Sequence, residues 1–395
     1  MEGDFIKIHK WLLPLSWLYG LGVRLRNECF EIGILRSRSF KTPVISVGNI
    51  TVGGSGKTPH VEYLVNLLKD VAQVAVLSRG YKRKSRGYVL ANSDTQMKMI
   101  GDEPFQMKHK FPNVYVAVDR DRCHGIDNLT QNEETKDTDV ILLDDAFQHR
   151  YVKPGVNILL VDYHRLIIYD ELLPAGRLRE PLSGKNRADI VIVTKCPKEL
   201  NPIDYRVLNK AMNLYPFQDL FFTTLEYCDL VPVFDGEAQQ ESIPLEGIKQ
   251  NNVLLLTGIA LPKQLEVDLK PYTGEKEMVT LTFPDHHSFK SKDIERINAT
   301  FATMEEPKII VTTEKDRARL LDLEGLDNDV RKNIYALPIR VKFMLNNEET
   351  FNEKIISYVR KNSRNSILAK GKNDHKSKDS HRSGNRPRTI SFRNN

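Results

Sequence analysis

The segment PVISVGNITVGGSGKTPH, residues 43–60, constrains the fold of this chain more than any other. An apolar, β-branched run ends at Gly48 and a turn carrying Gly53, Gly54 and Gly56 follows. Lys57-Thr58 then opens a helix whose first turn admits Pro59, because an N–H there has no helical partner to lose. Strand, glycine-rich turn and helix in this order predict a P-loop. Backbone N–H groups of Thr51, Val52, Gly53, Gly54, Ser55 and Gly56 would surround a polyphosphate, Lys57 would reach its β and γ groups, and the Thr58 hydroxyl would ligate Mg²⁺. The usual G-x-x-x-x-G-K-[ST] pattern begins with glycine where Thr51 stands here, but the G-x-G-K-T core is intact. The competing reading is a glycine-rich turn with no ligand.

A P-loop needs a carboxylate at the end of a neighbouring strand. TDVILLDDAFQH, residues 138–149, supplies it: an apolar run followed by Asp144 and Asp145, placed at the strand edge where open α/β sheets bind ligands. Adjacent carboxylates there are unfavourable unless a cation neutralises them, which makes both candidates for the metal site and not merely a strand-end turn. Gln148 and His149 follow, either as substrate contacts or as partners of nearby backbone groups.

With 395 residues, the chain exceeds the roughly 250–300 at which one hydrophobic core stops growing. Short β-rich runs at 43–48, 74–78, 114–118 and 140–144 alternate with helical patterns such as 59–69. A second set of runs falls at 156–161, 189–194, 220–225, 253–257, 279–283 and 309–313, with helices expected over 203–214 and 291–304. The alternation predicts parallel strands with crossover helices. It implies a P-loop NTPase-type α/β domain over 41–152, a second, smaller α/β domain over 153–345 and a terminal helix over 346–360. Four dispersed cysteines with no C-x-x-C pair fit a reducing cytosol and no zinc module.

The two ends differ from the body. Residues 361–395 hold ten Lys or Arg against two Asp, so residues 1–360 sum to −2 within a chain of net charge +6. This polar tail predicts disorder; anionic partners are its functional reading and a solvated tail its bland one. Residues 1–40 hold an apolar stretch, 11–23, too short to span a bilayer. Trp11, Trp17 and Tyr19 sit in it, flanked by Lys7, Lys10, Arg24 and Arg26, the pattern of an interfacial membrane helix. Packing on the protein's own core is the alternative. A signal peptide is disfavoured by Glu2 and Asp4.

Eight motifs carry a resemblance to a family: TVGGSGKTP (51–59), LSRGY (77–81), GDEP (101–104), DR (119–120), LLDDAFQH (142–149), LPAGRLREP (173–181), FPDHHSF (283–289) and TEKD (313–316). In order and approximate spacing, the chain over about residues 10–345 resembles tetraacyldisaccharide 4′-kinase, the lipid A 4′-kinase of Gram-negative bacteria. The resemblance implies transfer of the ATP γ-phosphoryl group, with Mg²⁺, to the 4′-hydroxyl of a lipid A disaccharide 1-phosphate precursor. The work would be done in the cytoplasm, peripherally on the inner face of the inner membrane. Carried over by position, Asp102 would receive the sugar hydroxyl proton, assisted by His286, with His287 as its alternative. Arg179 and Glu180 would lie near the phosphates and metal, and Arg79 and Arg120 would meet the substrate's phosphate or sugar. Without the family, Asp102-Glu103-Pro104 is a helix start and His286-His287 a loop pair. Ala146 departs from the family's usual glycine, a small change unless the backbone there needs positive φ. TEKD has a slight likeness to the base-reading N-K-x-D of GTPases, sharing its final aspartate.

Two other classes compete. A P-loop switch or partitioning ATPase commonly has lysine where Val52 stands. A nucleic-acid-binding protein has only the tail in its favour, and the negative body speaks against it.

Overall fold

The computed structural model describes residues 7–234, 241–259, 262–285, 287, 289–321 and 323–363. The basic tail therefore falls almost wholly outside the described residues, and so does His286.

Fourteen strands are found among the described residues: β1 (Val44–Gly48), β2 (Val74–Ser78), β3 (Val89–Ala91), β4 (Tyr115–Val118), β5 (Val140–Asp144), β6 (Val156–Asp162), β7 (Ile190–Thr194), β8 (Asp219–Tyr227), β9 (Val231–Pro232), β10 (Asn252–Thr257), β11 (Met278–Thr282), β12 (Lys308–Thr313), β13 (Ile334–Leu337) and β14 (Ile339–Phe343). Nine form one sheet in the order β14-β8-β7-β6-β1-β5-β2-β4-β3. It is parallel except at its edges, where β14 and β3 run antiparallel. The other five form a second sheet, β11-β10-β12-β13-β9, antiparallel only at β9.

The central strands β1, β2 and β5 are buried at every residue, as their unbroken Val/Ile/Leu runs require of a sheet covered on both faces. Alternate residues serve opposite layers. Ile45, Val47, Val76 and Leu142 pack with Val61, Leu64 and Leu68 of the helix Lys57–Leu68. Val44, Leu77, Ile141 and Leu143 pack with Ile126 and Leu129 of the helix Arg122–Gln131.

The boundary expected between 152 and 153 lies inside the large sheet. β6 pairs with β1 in parallel, and β7 and β8 extend the same sheet. Equally spaced strands carry no mark of which sheet they join, so the sequence could not place the division. By sheet membership it falls after β8, and the chain returns at β14. The two crossings run side by side, with the Cys228 N–H donating to the Pro338 carbonyl at 2.9 Å. The terminal helix Glu348–Asn362 packs Phe351, Ile355 and Val359 into the core of the large sheet.

Near the N-terminus a 3-10 turn, Lys10–Leu12, leads into the helix Leu13–Glu31, with Pro14 in its first turn. Its inward side is narrow: Ser16, Gly20 and Phe30. A Cβ on Gly20 would stand 2.6 Å from Leu172 Cδ1, so the helix lies close against the segment around residue 172. Trp11 and Trp17 are 78% and 80% exposed, and Leu15, Leu18, Leu21 and Leu25 are exposed beside them. No described helix is long and apolar enough to cross a membrane.

Candidate active site

Every candidate from the large sheet sits at the C-terminal edge of its parallel strands. The P-loop follows β1, Arg79 follows β2, Arg120 follows β4, and Asp144-Asp145 end β5. Because β1 lies between β5 and β6, with Val47 opposite Asp144, the carboxylate expected beside the P-loop is its immediate neighbour.

The loop turns into its helix through Gly56, which takes a left-handed conformation (φ 81°) as the N-cap of Lys57–Leu68. Buried His60 fixes this turn: its Nδ1 lies 2.7 Å from the Gly56 carbonyl and its Nε2 3.0 Å from Thr223 Oγ1. Burial lowers its pKa to about 4, so the ring is neutral, donating from Nδ1 and accepting the threonine hydroxyl at Nε2. Asn49 donates to Ser55 Oγ at 2.8 Å and Thr51 Oγ1 at 3.4 Å, bracing the loop from within. The Val52 N–H, expected to face phosphate, donates instead to the Arg177 carbonyl at 2.8 Å, and Thr51 bridges to Leu178. The LPAGRLREP segment is thus laid along the P-loop through an isolated antiparallel bridge, and a glycine-pattern reading cannot register that pairing.

Asp144 is buried, and one of its oxygens, Oδ1, has no hydrogen-bond partner. Burial, reinforced by Glu103 and Asp145, raises its pKa to about 7 against the pull of Lys57 and Arg122. A buried carboxylate oxygen without a donor, beside the helix turn that carries Thr58, fits a hard divalent cation. Asp145, at φ 47°, faces the cations: Lys57 Nζ at 3.7 Å and Arg179 Nη1 at 3.3 Å. The left-handed residue of this turn is therefore Asp145 and not Ala146, so the alanine brings no backbone strain.

Glu180, expected among the metal residues, is bonded through both oxygens: Gln148 Nε2 donates to Oε1 at 2.9 Å and Arg187 Nη2 to Oε2 at 2.8 Å. At 2% exposure it serves as the anchor of Gln148, whose amide also donates to the Asn49 carbonyl at 2.6 Å. Gln148 Oε1 in turn accepts from Arg179 at 3.4 Å. The N-terminal helix joins this network. The Tyr19 hydroxyl donates to the Arg179 carbonyl at 2.6 Å, Ser16 bonds Leu172 and Ala175, and Arg26 bonds the Gln148 carbonyl at 3.2 Å.

On the other flank, Arg79 and Arg120 are exposed. Arg122, two residues beyond Arg120 and not singled out from the sequence, is buried. It donates to the carbonyls of Asp119 at 2.8 Å and Asp144 at 3.1 Å, and burial lowers its pKa to about 10. His149 Nε2 is buried without a partner, and burial, with the charge of Arg122, lowers its pKa to about 4. It shares a small cluster with Asp121 and Cys123, whose ligand atoms lie within 4.8 Å of one another; Asp121 Oδ1 there caps the helix Arg122–Gln131.

Asp102 opens the helix Asp102–Lys110, as its Asp-Glu-Pro sequence predicts. The chain enters through Gly101 (φ 93°), where a Cβ would sit 2.8 Å from the Tyr81 carbonyl, so only glycine fits. The Asp102 carboxylate faces the second sheet: Arg319 donates to its Oδ2 from Nε at 3.2 Å and Nη2 at 2.7 Å. Arg319 was not picked out in the sequence; an arginine in a helix has no motif, and only the fold brings it across. His287 is instead bonded to Asp293 at 2.9 Å.

The tetraacyldisaccharide-1-P 4′-kinase (LpxK) family model matches residues 8–360. A tetraacyldisaccharide 4′-kinase of Phocaeicola vulgatus is 58% identical over 93% of this chain and 99% of its own. That of Bacteroides thetaiotaomicron is 52% identical over 95% and 100%. The crystal structure of LpxK from Aquifex aeolicus in complex with ATP superposes with a TM-score of 0.69 at 32% identity, covering 89% of this chain and 99% of that one. On sequence, fold and the layout of its P-loop edge, the chain belongs to the tetraacyldisaccharide-1-P 4′-kinase family.

Proposed function

We propose that the protein transfers the ATP γ-phosphoryl group to the 4′-hydroxyl of a tetraacylated glucosamine disaccharide 1-phosphate at a membrane surface, with Mg²⁺ bound at Asp144 and Thr58. The observation that carries the reading is Asp144 itself: a buried carboxylate with an unbonded oxygen, one strand from a braced P-loop, in a chain of this family.

The P-loop N–H groups and Lys57 would hold the β and γ phosphates, displacing Lys57 from Asp145. Bound Mg²⁺ would neutralise charge on the phosphate oxygens. Asp102 would accept the 4′-hydroxyl proton as that oxygen forms its bond to the γ phosphorus and the bond to the β-phosphate oxygen breaks, releasing ADP. Arg179, held between Asp145 and Gln148, would approach the transferring group and stabilise its charge. Arg79 and Arg120, exposed on the β2 and β4 flank, offer forks for the substrate's 1-phosphate, with His149 and Gln148 lining the way between.

The N-terminal helix supports the surface reading. Its exposed Trp11, Leu15, Trp17, Leu18, Leu21 and Leu25 form an apolar face that suits the headgroup boundary of a bilayer, the inner face of the inner membrane in a Gram-negative cell. Its inner side is bonded to the segment that flanks the P-loop, so a helix lying on lipid would hold the catalytic edge beside its substrate.

The test is transfer of label from γ-labelled ATP to the acylated disaccharide 1-phosphate in detergent with Mg²⁺. Labelled lipid from the parent protein is expected. ATP hydrolysis without labelled lipid would contradict the acceptor and favour a switch ATPase.

A further inference from the structure

The TEKD segment does more than its weak likeness to a base-reading motif implies. Its helix, Glu314–Leu320, follows β12 of the small sheet and meets the helix Asp102–Lys110 at both ends. At one end Lys110 Nζ lies 2.6 Å from Glu314 Oε1 and 2.6 Å from Glu62 Oε2 on the P-loop helix. At the other, Arg319 grips Asp102. Lys315 Nζ, from the same helix, lies 2.8 Å from Asp285, the residue before His286.

We infer that Arg319 is a positioning residue for the phosphoryl-transfer reaction, clamping Asp102 by one oxygen and itself held by the buried Asp316 of TEKD. Arg319 is 4% exposed and Asp316 fully buried. Both Nε and Nη2 go to Asp102 Oδ2, which ties that oxygen to the guanidinium. Nη1 donates to Asp316 Oδ1 at 2.8 Å and to the Gly258 carbonyl at 3.3 Å. The other oxygen of Asp316 accepts from the Gly258 N–H at 2.9 Å and from Thr313 Oγ1 at 2.8 Å. The acid of TEKD is therefore fully engaged within the protein. A planar guanidinium with three of its donors fixed in this way cannot swing, so the carboxylate it holds is pre-organised.

The inference rests on Asp102 being the proton acceptor, and the experiment separates the two claims. Kinetics are measured on the full chain with Arg319→Lys, Arg319→Met, Asp102→Asn and the Asp102→Asn/Arg319→Lys double variant. Lysine keeps the positive charge beside buried Asp316, so Arg319→Lys is the variant expected to stay folded. For Arg319→Lys, kcat is expected to fall about 10- to 100-fold, the scale of a small misplacement of a catalytic group, with KM for ATP unchanged. Arg319→Met is expected to fall at least as far. In the Asp102→Asn background, Arg319→Lys should cost less than about twofold, because the group it positions is gone. Equal losses in both backgrounds, or a loss carried by KM for ATP, would overturn the positioning role. Parent-like turnover in Arg319→Lys beside an inactive Asp102→Asn would overturn it alone and leave the base standing. Parent-like turnover in Asp102→Asn would overturn the base and this inference with it.

Discussion

The P-loop edge and the junction around Asp102 are built in opposite ways. At the edge, contiguous motifs on adjacent strands deliver Lys57, Thr58, Asp144 and Asp145 side by side, and the charges are left incomplete. Asp144 Oδ1 has no donor, and Lys57 rests 3.7 Å from Asp145. At the junction, residues from 62 to 319 come together and each cation bridges two carboxylates: Lys110 joins Glu62 and Glu314, and Arg319 joins Asp102 and Asp316. On the proposed function, a site that receives phosphates and a cation would keep such open groups, whereas a site that holds one carboxylate still would not. Binding and positioning are thus separated in space, and the two can be perturbed apart.

At the edge the expected effect is a large loss of transfer. Lys57→Ala should lower lipid phosphorylation about 10²- to 10³-fold, the usual loss on removing one charge-stabilising donor, as measured by label transfer at saturating lipid. At the junction, Asp316→Ala breaks a buried pair with Arg319 and removes the carboxylate that accepts from Thr313 Oγ1 and the Gly258 N–H. The capping bond from the Asp316 N–H to Thr313 Oγ1 survives the change, so the cost is that of the carboxylate's own partners, about 3–5 kcal/mol in denaturant unfolding. If Asp316→Ala proved as stable as the parent, the contrast between bridged and open charges would be lost.

The pH response sharpens the comparison. Asp144 has a folded pKa of about 7 against an ordinary value of 3.8, so between those values the folded metal-free protein holds the extra proton. Stability from this group is therefore full at low pH and falls as pH rises toward 7, the sign for a raised carboxyl. On the proposed reading Mg²⁺ would displace that proton, so its affinity should rise with pH up to about 7 and then level off, as titration calorimetry would show. Asp144→Asn should abolish that pH dependence. The smallest effect is at the N-terminal helix. Gly20→Val would push the helix from Leu172 and cost about 1–3 kcal/mol by overpacking. Trp11→Ser with Trp17→Ser should instead weaken sedimentation with anionic lipid vesicles and leave stability unchanged.

The edge was legible because its information is local. A P-loop is written in one run of residues, and β5 announces itself as a strand ending in Asp144-Asp145. The strand boundaries at 74–78 and 140–144 coincide with β2 and β5. The junction was not legible, since Arg319 gains its meaning only from a helix packed across from another sheet, and TEKD carries no sign of its partner. Strands β3 and β9, of three and two residues, lacked enough length for a pattern. The division between sheets escaped for a related reason: β6 to β8 resemble β10 to β12 in composition, and only pairing tells them apart. Glu180 shows the limit of motif transfer within a site, because its neighbour Gln148 and Arg187 occupy it in a way that LREP does not reveal.

The central claim, that ATP is held at the P-loop edge while Asp102 performs proton acceptance from the junction, is tested most directly by Asp102→Ala. ATP affinity by calorimetry and phosphate transfer to the lipid are measured on the same preparation. The account predicts ATP binding within about twofold of the parent and transfer reduced about 10²- to 10⁴-fold, the range of general base catalysis. Parent-like transfer, or a loss of ATP binding that accounts for the whole defect, would contradict it.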